Sequence, residues 1–283
     1  MVEVVGNNIS KWGEGPVWHA GILYYVDIEG HRVCSFDPAT GAENSWEVGE
    51  RVGLVVPREQ GGFVIAGDNG FAFLEPDSGE TTPIADPEPD KKPDNRFNDG
   101  KCDLAGRLWA GTISTVKKTG DATLYCLDSE RNVTTKYTGV TNSNGLCWTK
   151  DGATMYYIDT PTKKIRRFDF NSTTGEISNE TIAIDTEAYE GAPDGMTIDE
   201  NDNLWVAFCR GSVVLCFNPD SAEVLETITL PVTGVTSCAF GGEDLETLYI
   251  TTGIFANLEE EGAGLTYACR PGVKGLPSVP YAG

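Results

Sequence analysis

Carboxylate and amide side chains recur beside glycines along this chain. The phrases are GEGPVW (13–18), RFNDGK (96–101), SNGLCW (143–148) and PDGMTI (193–198). Their polar members are Glu14, Asn98, Asn144 and Asp194. Carboxylate and amide oxygens are hard ligands that suit Ca²⁺, Mg²⁺ or Mn²⁺, whereas Zn²⁺ usually takes His or Cys. These residues are therefore candidates for one divalent-metal site.

Turn chemistry is the competing explanation for these dipeptides. Asn or Asp followed by Gly is a common turn sequence, so any one of them alone is better explained as a turn. Glu14, Asn144 and Asp194 occur together in equivalent places of a longer repeat. That common register favours metal ligation for the three residues as a set.

The longer repeat consists of six short runs of aromatic and β-branched residues, 40 to 49 residues apart. They lie around Tyr24, Val64, Trp109, Tyr156, Trp205 and Tyr249. Turn formers precede each run and a second apolar run follows it, which is typical of short strands. No long helical periodicity is present. Six units of this length, each with room for four strands, predict an all-β, six-bladed β-propeller.

A closed propeller requires the two ends of the chain to meet. No linker or shift in composition divides the sequence, so we expect residues 1–283 to form a single domain. The sixth unit provides only three strands, near 236–240, 247–252 and 264–269. The segment VEVV (2–5) precedes the first unit without a partner, and we expect it to supply the outer strand of the last blade and cover its edge.

The polar–glycine phrases begin the strand before each aromatic strand. If that strand is the innermost of its blade, equivalent positions form a circle around the central channel. The circle comprises Glu14, Val52 or Gly53, Asn98, Asn144, Asp194 and Ser237. The polar residue varies between blades because the blades together build one asymmetric site, predicted to be a central metal site.

Composition narrows the compartment and the partners. The chain carries a formal net charge of −22, which disfavours nucleic acid and anionic membranes as partners. The start MVEVVGNNIS lacks a basic region and a long apolar stretch, so no signal peptide is expected. The eight Cys include no C-x-x-C and are interpreted as reduced, buried thiols. We expect a cytoplasmic monomer.

Two other kinds of site are disfavoured. DENDNLW (199–205) begins like an EF-hand loop, but Leu204 stands where that loop needs Gly, so a β-hairpin turn is expected. The only histidines, His19 and His31, lie in the first unit away from the predicted circle. A Ser–His–Asp triad is therefore not expected.

The phrases GEGPVW, DNRFNDGK, SNGLCW, PDGMTID, LWVAF and TSCAFGG, with the terminal GVKG and YAG, resemble the regucalcin (senescence marker protein)/gluconolactonase/luciferin-regenerating family. The resemblance covers nearly the whole chain in order. It implies a six-bladed propeller that hydrolyses sugar lactones with one divalent metal ion. It further implies that Glu14, Asn144 and Asp194 bind the metal, that Asp194 is also the catalytic base, and that Arg96 and Asn98 hold the substrate.

One segment departs from the family pattern. After AGT (110–112) the family usually has a longer loop with an acidic residue that helps to hold the sugar, but here residues 113–123 are short and contain Lys117 and Lys118. That acidic residue has no match in this loop. A substrate other than the usual aldonolactone, and a more open site, are therefore open alternatives.

Metal-dependent hydrolysis of sugar lactones is the leading hypothesis for function. Calcium is the favoured ion, with zinc, manganese and magnesium as alternatives. A metal that polarises a lactone carbonyl can also polarise P=O, so an organophosphate hydrolase-like phosphotriesterase is a second hypothesis. A calcium-binding regulatory protein with weak catalysis is a third, from a different class.

Overall fold

Twenty-four β-strands and two single-turn 3₁₀ helices make up the regular structure of the computed structural model, which describes residues 1–283. The strands of the first half are β1 (Glu3–Val5), β2 (Gly13–His19), β3 (Ile22–Asp27), β4 (Arg32–Phe36), β5 (Glu43–Glu47), β6 (Val52–Pro57), β7 (Phe63–Gly67), β8 (Gly70–Leu74), β9 (Thr81–Ala85), β10 (Asn95–Cys102), β11 (Leu108–Ser114), β12 (Ala122–Leu127) and β13 (Val133–Val140). Those of the second half are β14 (Ser143–Trp148), β15 (Thr154–Asp159), β16 (Lys164–Asn171), β17 (Glu176–Asp185), β18 (Ala192–Ile198), β19 (Leu204–Cys209), β20 (Val213–Phe217), β21 (Val224–Thr229), β22 (Val235–Gly241), β23 (Thr247–Thr252) and β24 (Thr266–Cys269). The helices span Pro89–Lys91 and Thr160–Thr162.

The strands form six antiparallel sheets of four strands each. Five sheets are sequential: β2 to β5, β6 to β9, β10 to β13, β14 to β17, and β18 to β21. The first strand of every sheet contacts the first strand of both neighbouring sheets, so six inner strands form a closed ring. The prediction of an all-β, six-bladed propeller is confirmed. No helix is long and apolar enough to cross a membrane.

The sixth sheet joins the two ends of the chain. Its order is β22, β23, β24 and then β1, with Val4 opposite Tyr267 and Val5 opposite Thr266. The side chain of Val5 packs against an apolar cluster shared by the first and last blades, whereas Val4 is exposed. Residues 3–5 therefore close the outer edge of the last blade by hydrogen bonds and packing.

Apolar side chains from facing sheets fill the spaces between blades. Trp109 of blade three, for example, packs edge-to-face on Trp148 and Phe170 of blade four. All eight cysteines are free thiols, and only Cys209 is less than fully buried, as the sequence predicts. Each blade buries its apolar faces against the two neighbouring blades, so the stability of every blade depends on the closed ring.

The segment DENDNLW forms the hairpin turn between β18 and β19, as expected. The carboxylate of Asp199 accepts the amide N–H groups of Asn201 and Asn203 and the indole N–H of Trp205. Asp103 bonds Trp109 in the same way in blade three. The acidic residue stabilises the turn and orients the aromatic residue of the following strand.

Deletion of residues 1–6 tests the closure of the ring. It exposes the edge of β24 and removes the packing of Val5, so we expect a loss of about 2 kcal/mol or more in unfolding free energy. Denaturant unfolding measures the loss, with Val4→Ala as a control that removes only exposed surface. An unchanged unfolding midpoint for the deletion variant would contradict this role.

Candidate functional site

All six inner strands carry an irregularity at the position of the repeated phrase. The pairing register shifts between Glu14 and Val17, Val52 and Leu54, Phe97 and Asp99, Asn144 and Leu146, Pro193 and Met196, and Val235 and Ser237. A bulge re-aims the side chains beside it. The repeated polar–glycine phrase is therefore the sequence of a β-bulge at the rim of the central channel.

Glycines at these bulges let neighbouring inner strands approach closely. A Cβ atom added at Gly145 would lie 2.6 Å from the backbone nitrogen of Met196, and one added at Gly195 would lie 2.0 Å from Oγ of Ser237. Only glycine fits either position. The short distance between strands brings the polar residues of different blades to one small region.

Glu14 and Asp194 form a buried pair of carboxyl groups at this rim. They are 3% and 7% exposed, lie within hydrogen-bonding contact of each other, and have no lysine or arginine within salt-bridge distance. Burial, with added repulsion from Asp194 and Asp99, raises the pKa of Glu14 well above its ordinary value. Burial, followed by the charge of Asp99, raises the pKa of Asp194 to about 8. No cation of the protein is in direct contact with the pair, and the charge of the buried Arg96 acts on Glu14 only from a greater distance.

The amide of Asn144 is oriented by its neighbours. Its Nδ2 donates to Oγ1 of Thr160 at 2.8 Å, and the Thr160 hydroxyl donates in turn to the carbonyl of Pro193 at 2.8 Å. Because the single hydroxyl proton of Thr160 is used, its oxygen accepts from the amide nitrogen. Oδ1 of Asn144 accepts Nδ2 of Asn98 at 3.4 Å, and the Asn144 amide also lies within hydrogen-bonding contact of Asp194.

Asn98 and Arg96 lie on the adjoining wall. Nδ2 of Asn98 donates to the carbonyl of Ser143 at 2.7 Å, and its Oδ1 accepts Nη1 of Arg96 at 2.9 Å. Arg96 is 9% exposed, and its buried Nε has no partner. Burial, with a smaller effect of the Arg51 charge, lowers the pKa of Arg96 to about 10. The structure thus brings all five residues predicted from the sequence to one end of the channel.

Three residues at the site were not chosen from the sequence. Asp99 is buried, its pKa is raised by burial to about 6, and its charge acts on both Glu14 and Asp194. Cys209 contacts Asp194, and Thr160 orients the Asn144 amide. Asp99 could have been found, since it follows Asn98 directly in the repeated phrase. The other two come from distant segments with no motif.

The remaining circle positions contribute little polarity. Val52 and Gly53 have no polar side chain, and Ser237 packs against Gly195. No group of three or more His, Cys, Asp and Glu side chains has the geometry of a metal site. The candidate donor set is mixed: two carboxyl groups without a salt-bridge partner, and the amide of Asn144 fixed beside them. That chemistry fits a hard divalent cation, which would supply the missing positive charge.

The fold and the acidic channel end define a propeller protein with a small polar central site. Residues 12–254 match the model of the SMP-30/Gluconolactonase/LRE-like region, and the chain belongs to that family. Regucalcin of Danio rerio is 40% identical over 292 residues, which covers 100% of this chain and 98% of the relative.

Two further relatives cover nearly the same length. A protein of Bacillus subtilis that carries the provisional name sugar lactone lactonase is 37% identical, over 96% of this chain and 95% of its own. The solved structure of a luciferin-regenerating enzyme superposes with a TM-score of 0.92 at 30% identity, and covers 100% of this chain and 99% of that one.

The pH dependence of stability tests whether the carboxyl pair needs a cation. Because burial raises the pKa of Asp194 to about 8, the folded ion-free protein keeps a proton there that the unfolded chain has released at neutral pH. Rising pH from about 6 to 8.5 therefore lowers the melting temperature of the ion-free protein and increases the stabilisation by added calcium.

Thermal melts in EDTA and in millimolar calcium at several pH values make this measurement. Asp194→Asn is the control, and it should reduce both pH dependences, while the raised pKa of the remaining Glu14 carboxyl group retains part of them. A calcium effect that is absent, or equal at the two ends of the pH range, would contradict the assignment.

Proposed function

We propose that this protein hydrolyses sugar lactones with the help of one divalent cation held by Glu14, Asn144 and Asp194. The observation that carries the proposal is the buried carboxyl pair without a salt-bridge partner, beside the Asn144 amide that Thr160 holds in place. When bound, such an ion supplies Lewis acidity towards an ester carbonyl and lowers the pKa of water. The chain belongs to a family whose description names gluconolactonase, which supports a lactone as the substrate.

Asp194 is proposed as the general base. With a cation present its carboxylate is ionised at neutral pH, since an opposite charge favours the charged form. It then lies at the channel end in contact with Glu14 and can accept a proton from an attacking water molecule. Glu14 helps to hold the ion. Because the ion compensates the charge of Glu14, Glu14 repels the Asp194 carboxylate less.

Arg96 and Asn98 are proposed to hold the lactone over the pair. Asn98 is fixed by bonds to Ser143 and Arg96, so its position is set before substrate arrives. Nη2 of Arg96 donates to no group of the protein, in contrast to Nη1, which donates to Phe97 and Asn98. A free N–H donor on a buried cation can bind a ring hydroxyl or stabilise the oxyanion that forms when the ester is attacked.

Calcium is the proposed ion, because a set of carboxylate and amide oxygens without His or Cys is the set that it prefers. Magnesium, manganese and zinc are the alternatives. A small lactone is the proposed partner, and a monomeric state and a cytoplasmic location stay predictions from the sequence.

Hydrolysis of glucono-δ-lactone, abolished by EDTA and restored by calcium, magnesium, manganese or zinc, tests the proposal. Faster hydrolysis of a phosphotriester than of any lactone would favour the phosphotriesterase, and metal binding without turnover would favour a regulatory protein.

Asp194→Asn separates the role of base from that of ligand. We expect the variant to fold and to bind metal more weakly, and to lose about 10²-fold or more in kcat, as expected for removal of a positioned base. The measurement is kcat for glucono-δ-lactone at saturating metal, with the exposed Asp220→Asn as the control. If raised metal concentration restores near wild-type kcat, Asp194 is only a ligand.

A further inference from the structure

Blade two contributes an ion pair to the rim rather than a side chain to the carboxyl pair. Arg51 directly precedes the bulge of β6, and its side chain bonds the carboxylate of Asp68, with Nη2 to Oδ1 at 2.7 Å and Nε to both oxygens at 3.1 and 3.2 Å. The backbone N–H of Arg51 adds a further bond to Oδ2 of Asp68 at 3.0 Å. The carboxylate of Asp68 is thus held rigidly from two directions.

This ion pair lies beside the proposed substrate residues of blade three. A Cβ atom added at Gly53, two residues after Arg51, would lie 2.5 Å from the carbonyl oxygen of Phe97 and 2.8 Å from Cα of Asn98. The inner strands of blades two and three are therefore in direct backbone contact at this point. Burial is the largest cause of the lowered pKa of Arg96, and the charge of Arg51 is the second.

Asp68 and Arg96 line the same small cavity. Its volume is about 10 Å³, and Asn95 also lines it. A space of this size holds about one water-sized group, such as a hydroxyl. Its lining includes the accessible carboxylate of Asp68, the buried Arg96 guanidinium with its unpartnered Nε, and the unpartnered Oδ1 of Asn95. Three further charged residues also line it, but they are already paired: Asp86 with Lys92, and Glu88 with Lys91. Unsatisfied buried polar atoms are costly unless a water or ligand bonds them.

A carboxylate next to a guanidinium is suited to a hydroxyl group, which donates one hydrogen bond and accepts others. The side chain of Asp68 is 28% exposed, so its oxygens remain accessible although Arg51 bonds them. An apolar lactone offers no donor to Asp68 and leaves these groups without partners. A site built to bond a hydroxyl rejects an analogue that lacks it.

We propose that Asp68 is a specificity residue that accepts a hydrogen bond from a hydroxyl of the lactone held by Arg96, and that Arg51 is the positioning residue for Asp68. The inference rests on the proposed lactonase function and names the residues that distinguish a hydroxylated lactone from one without hydroxyl groups. Asp68 thus brings an acidic group of blade two next to Arg96, whereas Asp121, the acidic residue within residues 113–123 of blade three, is paired with Lys118.

The test compares glucono-δ-lactone with δ-valerolactone, which has the same ring without hydroxyl groups. In the wild type, kcat/KM is expected to favour glucono-δ-lactone. In Asp68→Asn this preference should fall about tenfold or more, mainly through KM, while hydrolysis of δ-valerolactone stays unchanged. In Arg51→Met the carboxylate remains but is no longer held, and a smaller loss of the same preference is expected.

The remote ion pair of Arg270 and Asp244 provides matched controls, Asp244→Asn and Arg270→Met, which should change neither substrate's kinetics. No preference in the wild type, or an equal loss on both lactones in a folded Asp68→Asn variant, would overturn the inference while leaving lactonase activity intact. If Asp68→Asn does not fold, the wild-type preference and the KM of Arg51→Met decide.

If the wild type hydrolyses no lactone with any metal, the proposed function fails separately. Binding of D-gluconate in the presence of calcium, measured by calorimetry, then tests Asp68 alone. Weaker binding by Asp68→Asn supports the inference, and equal binding, or none to the wild type, overturns it.

Discussion

The central constraint of this molecule is the burial of Glu14 and Asp194 side by side with no cation of the protein to pair with them. A buried charge without a partner is strongly unfavourable, and burial therefore raises the pKa of both groups. In this protein the closed ring of blades holds the two groups together. The pair comes from blades one and five, so its existence depends on the closure of the propeller by β1 and β24.

The rim is built from one local device used six times with different side chains. A bulge at the start of each inner strand keeps the same backbone geometry, while its polar residue differs from blade to blade. Blades one, four and five thereby provide Glu14, Asn144 and Asp194. Blade three provides Asn98 next to Arg96, and blade two provides the Arg51–Asp68 pair. The asymmetry divides the channel mouth into an acidic centre and a polar wall.

Much of this arrangement could be predicted from the sequence, because repeats preserve register. Six evenly spaced strand phrases predict six blades, and equal offsets predict that Glu14, Asn144 and Asp194 meet. What could not be predicted depends on contacts between distant segments. Thr160, which follows β15, orients the Asn144 amide of β14 through a hydrogen bond. Arg51 holds the carboxylate of Asp68 at the polar wall. Neither Thr160 nor Asp68 belongs to a motif, and the repeat does not single out Asp99, because Asn98 already occupies the circle position of blade three.

The carboxyl pair is proposed to bind one divalent ion, and calorimetric titration of calcium into EDTA-stripped protein measures that binding. One ion per chain should bind to the wild type. Glu14→Gln should bind it at least about tenfold more weakly, because one of two anionic ligands is lost. Asp244→Asn, an acid far from the channel mouth, should bind as the wild type does. Binding that Glu14→Gln leaves unchanged, or no binding of calcium, magnesium, manganese or zinc to the wild type, would contradict this proposal.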